Sequence, residues 1–167
     1  RPGELPGRTG VSNTLCLEPR GVVVCLAVAG SEANVFAIPA ISALLAGNTI
    51  LVATAGSSPG AVALRTRLVE AGFPAAAIAM AAGSGADGIS RLIREGAIAA
   101  VATGDDSGAL AIDASRALAQ REGAILPLLN DPFSRHYLTR FCHERTVSIN
   151  TTASGGNADL MSQGESD

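Results

Sequence analysis

The strongest constraint on the fold is the run at residues 21–29, GVVVCLAVA, which is apolar throughout and rich in β-branched residues. Such a run is typical of a strand buried on both faces, as in a parallel sheet covered by helices. The following segment, residues 31–46, has helical spacing and is stopped by Gly47. A buried strand followed by a helix predicts an α/β fold.

The same alternation of strand and helix continues to residue 129. Further strands are predicted at residues 49–53, 77–82, 97–103 and 123–129, and helices at residues 58–71, 87–95 and 106–121. Strands and helices alternating at this spacing predict a Rossmann-like, doubly wound parallel sheet of about five strands with right-handed crossovers.

The two ends of the chain differ from this pattern. Residues 1–13 are rich in Gly, Pro and Arg and are interpreted as a linker, and residues 14–17 suit an edge strand. The sheet domain is predicted to span residues 14–130, and a C-terminal region residues 131–167. That region is predicted to hold a helix at residues 134–144, a surface strand at residues 146–151 and an extended Gly- and Ser-rich tail.

Composition excludes several classes of function. With 16% charged residues and a net charge of −3, the chain has no basic footprint for nucleic acid. No apolar run is long enough to cross a bilayer, so no membrane insertion is expected. The cysteines Cys16, Cys25 and Cys142 are odd in number and widely spaced, which favours reduced thiols in the cytoplasm over a disulfide framework.

No metal or catalytic site is predicted from the cysteine and histidine residues. His136, Cys142 and His143 lack the spacing of a metal site and a fourth ligand. On the predicted helix, the adjacent side chains of Cys142 and His143 would point about 100° apart, so such residues seldom meet and a Cys-His pair is not favoured.

Residues 44–59, LLAGNTILVATAGSSP, read as a helix end, a Gly47-Asn48 turn, a buried strand and a Ser-Pro helix start. This frame resembles the nucleotide-binding domain of the aldehyde dehydrogenase superfamily, whose members run AGN, an apolar strand, a lysine and then Pro-Ser-Glu before a helix. Ala53 stands at the position of the lysine, and Gly56 at that of the glutamate. The resemblance implies a fold that is kept while the side chains that hold a dinucleotide's ribose are gone.

Residues 83–88, GSGADG, match the G-x-G-x-x-G pattern of dinucleotide-binding turns. One alternative is therefore a small NAD-binding module that uses Gly83, Gly85 and Gly88. Against it, the turn follows the third strand of the series rather than the first, and Asp87 places a negative charge where a phosphate would dock. The superfamily's Thr-Gly-Ser turn is replaced by residues 103–106, TGDD, whose carboxylates would repel a pyrophosphate. A steric turn without bound cofactor is favoured.

The resemblance also implies where catalytic parts would stand. The superfamily's Pro-Trp-Asn turn, which supplies an amide, is replaced by residues 28–30, and Asn34 lies further along. Its Glu-Leu-Gly-Gly turn, which supplies a base, is replaced by residues 127–130, PLLN. The cysteine nucleophile belongs to a domain that is missing here. No catalytic residue is therefore expected, and this segment is not expected to be catalytic by itself.

Residues 144–165, ERTVSINTTASGGNADLMSQGE, resemble the C-terminus of the proline utilization A family of bifunctional proline-catabolising flavoenzymes, and residues 5–14, LPGRTGVSNT, resemble that family's entry to the same region. The resemblance implies a longer parent that is both a proline dehydrogenase and an NAD-dependent glutamate semialdehyde dehydrogenase, with FAD and NAD bound there and no cofactor here. It implies a domain that packs on the catalytic dehydrogenase domain of the same polypeptide. The tail would cover the tunnel for pyrroline-5-carboxylate. The residues expected to cover it are Ser148, Asn150, Thr151, Gly155, Gly156, Asn157, Leu160 and Met161. A third alternative is a homo-oligomerisation module in which residues 146–151 add to a partner sheet.

Overall fold

The computed structural model describes residues 3–6, 11–27, 34–81, 85–104 and 108–150. In chain order its elements are β1 (Gly3–Leu5), β2 (Val11–Pro19), β3 (Val22–Ala27), α1 (Asn34–Leu45), β4 (Thr49–Thr54), α2 (Pro59–Glu70), a 3-10 helix (Ala75–Ala77), β5 (Ile78–Ala81), α3 (Gly85–Glu95), β6 (Ala100–Ala102), α4 (Ala109–Ala119), β7 (Leu128–Leu129), a second 3-10 helix (Leu138–Phe141) and β8 (Cys142–Asn150).

The chain divides into two compact units. The core unit is Pro19–His143, and the flanking unit combines Arg1–Glu18 with Glu144–Asp167. The domain boundaries expected at residues 13 and 130 stay predictions.

The core unit contains a five-stranded sheet in the order β5-β4-β3-β6-β7, and its paired strands are parallel. Relative to the sheet's own first strand, β3, this is the order 3-2-1-4-5 of doubly wound folds. The predicted α/β fold and the parallel sheet are confirmed. The strand expected at residues 123–129 is shorter than predicted, because its pairing with β6 covers Leu128 and Leu129.

Both faces of this sheet are covered. Val23, Cys25 and Ala27 of β3 belong to one apolar cluster with side chains of α1 and α2. Val24 and Leu26 belong to a second cluster with side chains of α3 and α4. Successive side chains of a strand point to opposite faces, so a continuous apolar run is what a strand covered on both sides requires.

The connection between α1 and β4 depends on two residues. Gly47 has φ +85°, a conformation that other residues rarely adopt, and a Cβ there would lie 3.5 Å from Pro19 Cγ. The buried Asn48 follows, and its Oδ1 accepts a hydrogen bond of 2.9 Å from the Gly21 N–H. The turn predicted at Gly47-Asn48 is thus also a tertiary contact between two strand starts.

The helix predicted at residues 134–144 is wrong. Turns and the 3-10 helix occupy this segment, and β8 begins at Cys142. Tyr137 and Phe141 are four residues apart, a spacing that is also typical of one face of a helix. Their rings pack edge to face with centroids 5.0 Å apart. The backbone here forms tertiary hydrogen bonds rather than helical ones, since the Phe141 carbonyl accepts hydrogen bonds from Arg20 N and Asn48 Nδ2.

The flanking unit contains a three-stranded sheet in the order β1-β2-β8, in which β1 and β2 are antiparallel. The strand expected at residues 14–17 lies within β2, which is the central strand of this sheet and not the expected edge strand. Most of the strand expected at residues 146–151 lies within β8. The segment interpreted as a linker contains β1 and the start of β2. Strands that contain Gly or Pro have a weak hydrophobic pattern in the sequence, so their formation depends on pairing with neighbouring strands.

Candidate functional site

In open α/β sheets, ligands bind outside the carboxyl ends of the strands, where the strand order reverses. That point lies between β3 and β6, which pair directly from Val23↔Ala100 to Cys25↔Ala102. The turn expected at residues 28–30 and the acidic pair at residues 105–106 follow these strands and lie outside the described residues. The loop after β4 is described.

The loop after β4 satisfies its polar groups internally. Thr54 Oγ1 donates a 2.7 Å hydrogen bond to the Gly56 carbonyl, and Ser58 Oγ accepts one of 3.3 Å from Ala61 N. Ser58 therefore caps α2, as its position before Pro59 predicts. From residue 53 to residue 59 the sequence offers no ionisable side chain to a ligand.

Ala53 stands where the superfamily has its lysine. It is fully buried and belongs to the cluster that contains Ile89 and Ile93 of α3. Gly56, at the glutamate's position, contributes its carbonyl to the Thr54 hydroxyl and has no side chain. Neither position therefore carries a side chain that could hydrogen-bond to a ligand.

The glycine turn is described in part. Gly83 lies outside the described residues, whereas Gly85 begins α3 with φ +64° and Gly88 lies in the helix's first turn. Asp87 is exposed in the same turn. Its carboxylate is favourable to the helix dipole and unfavourable to an incoming phosphate.

A cavity between α3 and α4 was not anticipated from the sequence. Its volume, measured with a water-sized probe, is about 40 Å³, and its lining is mainly apolar: Ala55, Ala86, Ile89, Ser90, Ile93, Leu110, Asp113 and Ala114. Small residues in the lining, Ala86 and Ser90 four apart on α3 and Ala114 on α4, are the signal that could have indicated it. The one carboxylate in the lining, Asp113, accepts a 3.2 Å bond from Arg116.

The cysteines are free thiols in separate surroundings. Burial raises the pKa of Cys25 to about 12, which makes it a poor nucleophile. Cys142 and His143 are adjacent on β8 rather than on a helix, so their side chains point to opposite faces of the strand. Within the described ranges, no group of three or more His, Cys, Asp or Glu could hold a metal ion.

The tail motif is described at its first residues. Ser148 and Asn150 end β8, and Ser148 Oγ donates a 2.6 Å hydrogen bond to Asn13 Oδ1. In the same unit, Arg145 Nη1 and Glu18 Oε1 lie 2.7 Å apart in an exposed ion pair. The other motif residues lie outside the described residues: Thr151, Gly155, Gly156, Asn157, Leu160 and Met161.

Sequence reasoning missed a set of arginine contacts in the core unit. Arg20 Nε donates a 2.7 Å bond to the Arg140 carbonyl, and Arg140 Nη2 donates one of 3.3 Å to the Leu128 carbonyl. These bonds attach the segment before β8 to β7 and to the residue before β3. No local signal marks them, because the partners of Arg20 are 120 residues away.

Fold and strand order together define a Rossmann-like, doubly wound α/β domain, in which the described loop after β4 contains no ionisable side chain. More specifically, the chain belongs to the aldehyde dehydrogenase family, whose family model matches residues 2–119. Within the described residues, no helix is long and apolar enough to cross a membrane.

Individual relatives show which members of the family this chain resembles. The bifunctional protein PutA of Salmonella typhimurium strain LT2 is 32% identical over 168 residues, which cover 96% of this chain and 11% of that protein. A variant of Bradyrhizobium japonicum proline utilization A is 30% identical, with TM-score 0.64, over 78% of this chain and 13% of that one. The chain thus spans about a tenth of the length of these relatives. The expected resemblance to proline utilization A is confirmed.

A more distant structure supports the fold alone. A putative aldehyde dehydrogenase from Burkholderia cenocepacia is 20% identical, with TM-score 0.63, over 78% of this chain and 27% of that one.

Proposed function

We propose that this chain is a non-catalytic domain of a longer, bifunctional proline-catabolising enzyme of the cytoplasm. In that enzyme, proline would be oxidised to pyrroline-5-carboxylate with FAD, and glutamate semialdehyde to glutamate with NAD. The domain would pack on the dehydrogenase domain of the same polypeptide. The observation that carries the proposal is the buried Ala53 in a chain that aligns over 96% of its length with a bifunctional relative.

The absence of catalysis is supported by what replaces the family's functional groups. Ala53 and Gly56 offer no hydrogen bond from a side chain to a ribose. At the expected base position, residues 127–130, Leu129 is fully buried in the core and no carboxylate is present. A general base must reach the proton that it abstracts, and a buried leucine cannot replace it.

The proposed positive role belongs to the tail motif. Ser148, Asn150, Thr151, Gly155, Gly156, Asn157, Leu160 and Met161 would cover the tunnel through which the intermediate passes. Glycines permit close backbone approach, asparagines bond to backbone groups, and Leu160 and Met161 supply an apolar anchor. Such a segment gains order from a partner surface.

The test is removal of residues 148–167 from the longer polypeptide, with removal of residues 164–167 as the matched control. With proline and NAD supplied, we expect the longer deletion to introduce a lag before steady NADH formation, as the intermediate escapes into solvent. The shorter deletion should behave as the intact enzyme. Equal progress curves for all three proteins would reject the covering role.

A second candidate function is a small NAD-binding module, and the cavity between α3 and α4 favours it. Its lining begins beside Gly85, at Ala86, and this position is its one favourable feature, since its volume of about 40 Å³ is far below that of small-molecule sites. Calorimetric titration of NAD into the 167-residue chain separates the two functions. We expect no saturable heat. Saturable binding that Ala86→Trp abolishes and Val62→Trp leaves intact would establish the module instead, because Ala86 lines the cavity beside Gly85 whereas Val62 lies exposed on α2.

A further inference from the structure

The outer face of α1 carries an apolar line of side chains, defined here as the α1 stripe: Ile38, Ile41 and Leu45. Ile38 is 40% exposed and Leu45 64% exposed, and Ile41 between them is partly buried. Their spacing of i, i+3 and i+7 places them on one side of the helix. The opposite side is already used, since Phe36, Ala40, Ala43 and Leu44 are buried against the sheet.

The stripe differs from the outer faces of the other three described helices. Each of those helices carries charged residues: Arg65, Arg67 and Glu70 in α2, Asp87, Arg91, Arg94 and Glu95 in α3, and Asp113 and Arg116 in α4. From Asn34 to Leu45 there is no charged residue at all. A helix without charged residues on its outer side is typical of a helix that is covered on that side.

The second 3-10 helix packs against α1 and carries one further exposed apolar side chain, Leu138, which is 47% exposed. Single exposed leucines are ordinary on protein surfaces, so the line of side chains on α1, and not Leu138, marks the interaction site.

The size of the stripe decides between an independent partner and a tethered one. A helix of 12 residues is about 18 Å long, so one face of it offers on the order of 200 Å². A stable association between separate proteins buries about 800 Å² on each partner. A tethered segment needs far less, because its effective concentration reaches the millimolar range.

We propose that the α1 stripe is a docking seam for an apolar helix of the same, longer polypeptide. The proposal rests on the proposed function and names the surface by which this domain packs on its neighbour. A line at i, i+3 and i+7 is the pattern by which one helix face receives another. The bifunctional relative is long enough to supply such a helix, since this chain covers 11% of it.

The test compares the double variant Ile38→Glu/Leu45→Lys with the control Val62→Glu. Both new charges suit the dipole of α1, and Val62 is 58% exposed on α2. In the 167-residue chain, we expect both proteins to melt within about 2 °C of the unchanged chain, because the positions are exposed. In the longer polypeptide, the double variant should lower the melting temperature of this domain by about 4 °C or more, and the control should not.

An equal melting temperature for double variant and control in the longer polypeptide would overturn the seam. So would a 167-residue chain that is dimeric by light scattering and that the double variant makes monomeric, since the stripe would then receive a second copy. If removal of residues 148–167 causes the lag in NADH formation while the double variant leaves the melting temperature unchanged, the docking proposal is rejected and the proposed function is kept. If the double variant lowers the melting temperature and removal of residues 148–167 causes no lag, only the proposed covering role of the tail is rejected.

Discussion

At the scale of single residues, Asn48 joins more of the core unit than any sequence pattern indicates. Its side-chain amide is buried, and Nδ2 donates to the carbonyls of Ala43 and Phe141 at 3.1 and 3.0 Å. Its Oδ1 accepts from Gly21 N. One side chain therefore links the end of α1, the start of β3 and the 3-10 helix before β8.

We expect Asn48→Ala to lower the free energy of unfolding by about 2 to 4 kcal/mol, because it removes the acceptor of the Gly21 N–H and two hydrogen bonds that the buried amide donates. Asn13→Ala is the matched control. It removes an exposed hydrogen bond to Ser148, so its effect should stay within about 1 kcal/mol. Urea unfolding followed by circular dichroism measures both, and equal effects would show that the buried bonds of Asn48 contribute little.

Cys25 makes stability depend on alkaline pH. Burial raises its pKa to about 12 in the folded chain, against an ordinary value of 9.0. Between these values the unfolded chain loses the thiol proton while the folded chain keeps it, so stability is complete below pH 9 and falls as pH rises. Burial also raises the pKa of Tyr137, which acts in the same direction above its ordinary value of 10.0.

We expect the free energy of unfolding to fall between pH 9 and pH 10.5 by up to about 1.4 kcal/mol per pH unit through Cys25. Cys25→Ala should remove this contribution and leave that of Tyr137. Urea unfolding at several pH values measures the two slopes. Parallel pH profiles for the chain and the variant would contradict the assignment.

At the scale of elements, the C-terminal end of α3 is capped by the side chain of Arg121, a residue that follows α4 in the sequence. Arg121 Nη1 donates to the carbonyls of Ile93, Arg94 and Gly96 at 2.9, 3.2 and 2.9 Å. The last carbonyls of a helix have no partner within it, and a basic group there also suits the dipole. Arg121 therefore fixes the end of α3 relative to that of α4.

We expect Arg121→Ala to cost about 1 to 2 kcal/mol of unfolding free energy. The control is Arg116→Ala, which removes an exposed ion pair with Asp113 and should cost less than about 0.5 kcal/mol. Hydrogen exchange at the end of α3 should accelerate in the first variant and not in the second. Unchanged exchange in both would mean that packing alone holds this helix end.

The prediction at residues 134–144 illustrates what an element's own sequence leaves open. The aromatic spacing of Tyr137 and Phe141 fits a helix, yet these rings enter a pocket whose shape is set by α1 and the sheet. By contrast, the helix after β4 was predicted closely, because Ser58 and Pro59 act on their neighbours along the chain.

At the scale of the whole molecule, the hydrophobic core belongs to one unit. Among the described residues, every buried hydrophobic side chain lies between Val23 and Phe141, within the core unit. β8 beyond Cys142 is exposed along its length. Apolar burial is the main favourable contribution to folding, so the core unit contains what it needs to fold.

We expect a chain of residues 19–143 to unfold cooperatively, with a urea midpoint within about 0.5 M of that of the 167-residue chain. The measurement is urea unfolding followed by circular dichroism, with residues 1–150 as the control that keeps both units. A chain of residues 19–143 that lacks a cooperative transition would contradict it and would assign stability to the flanking strands.

The sequence by itself determined the sheet class, the family and the alternation of strands and helices between residues 21 and 129. These depend on period, on turn chemistry and on residues present or absent, all of which are local. Tertiary structure alone decided the strand order 5-4-3-6-7 in space, the buried links of Asn48 and Arg20, the cavity between α3 and α4 and the uncovered α1 stripe. Each of these joins residues distant along the chain, and no local propensity encodes which distant partners meet.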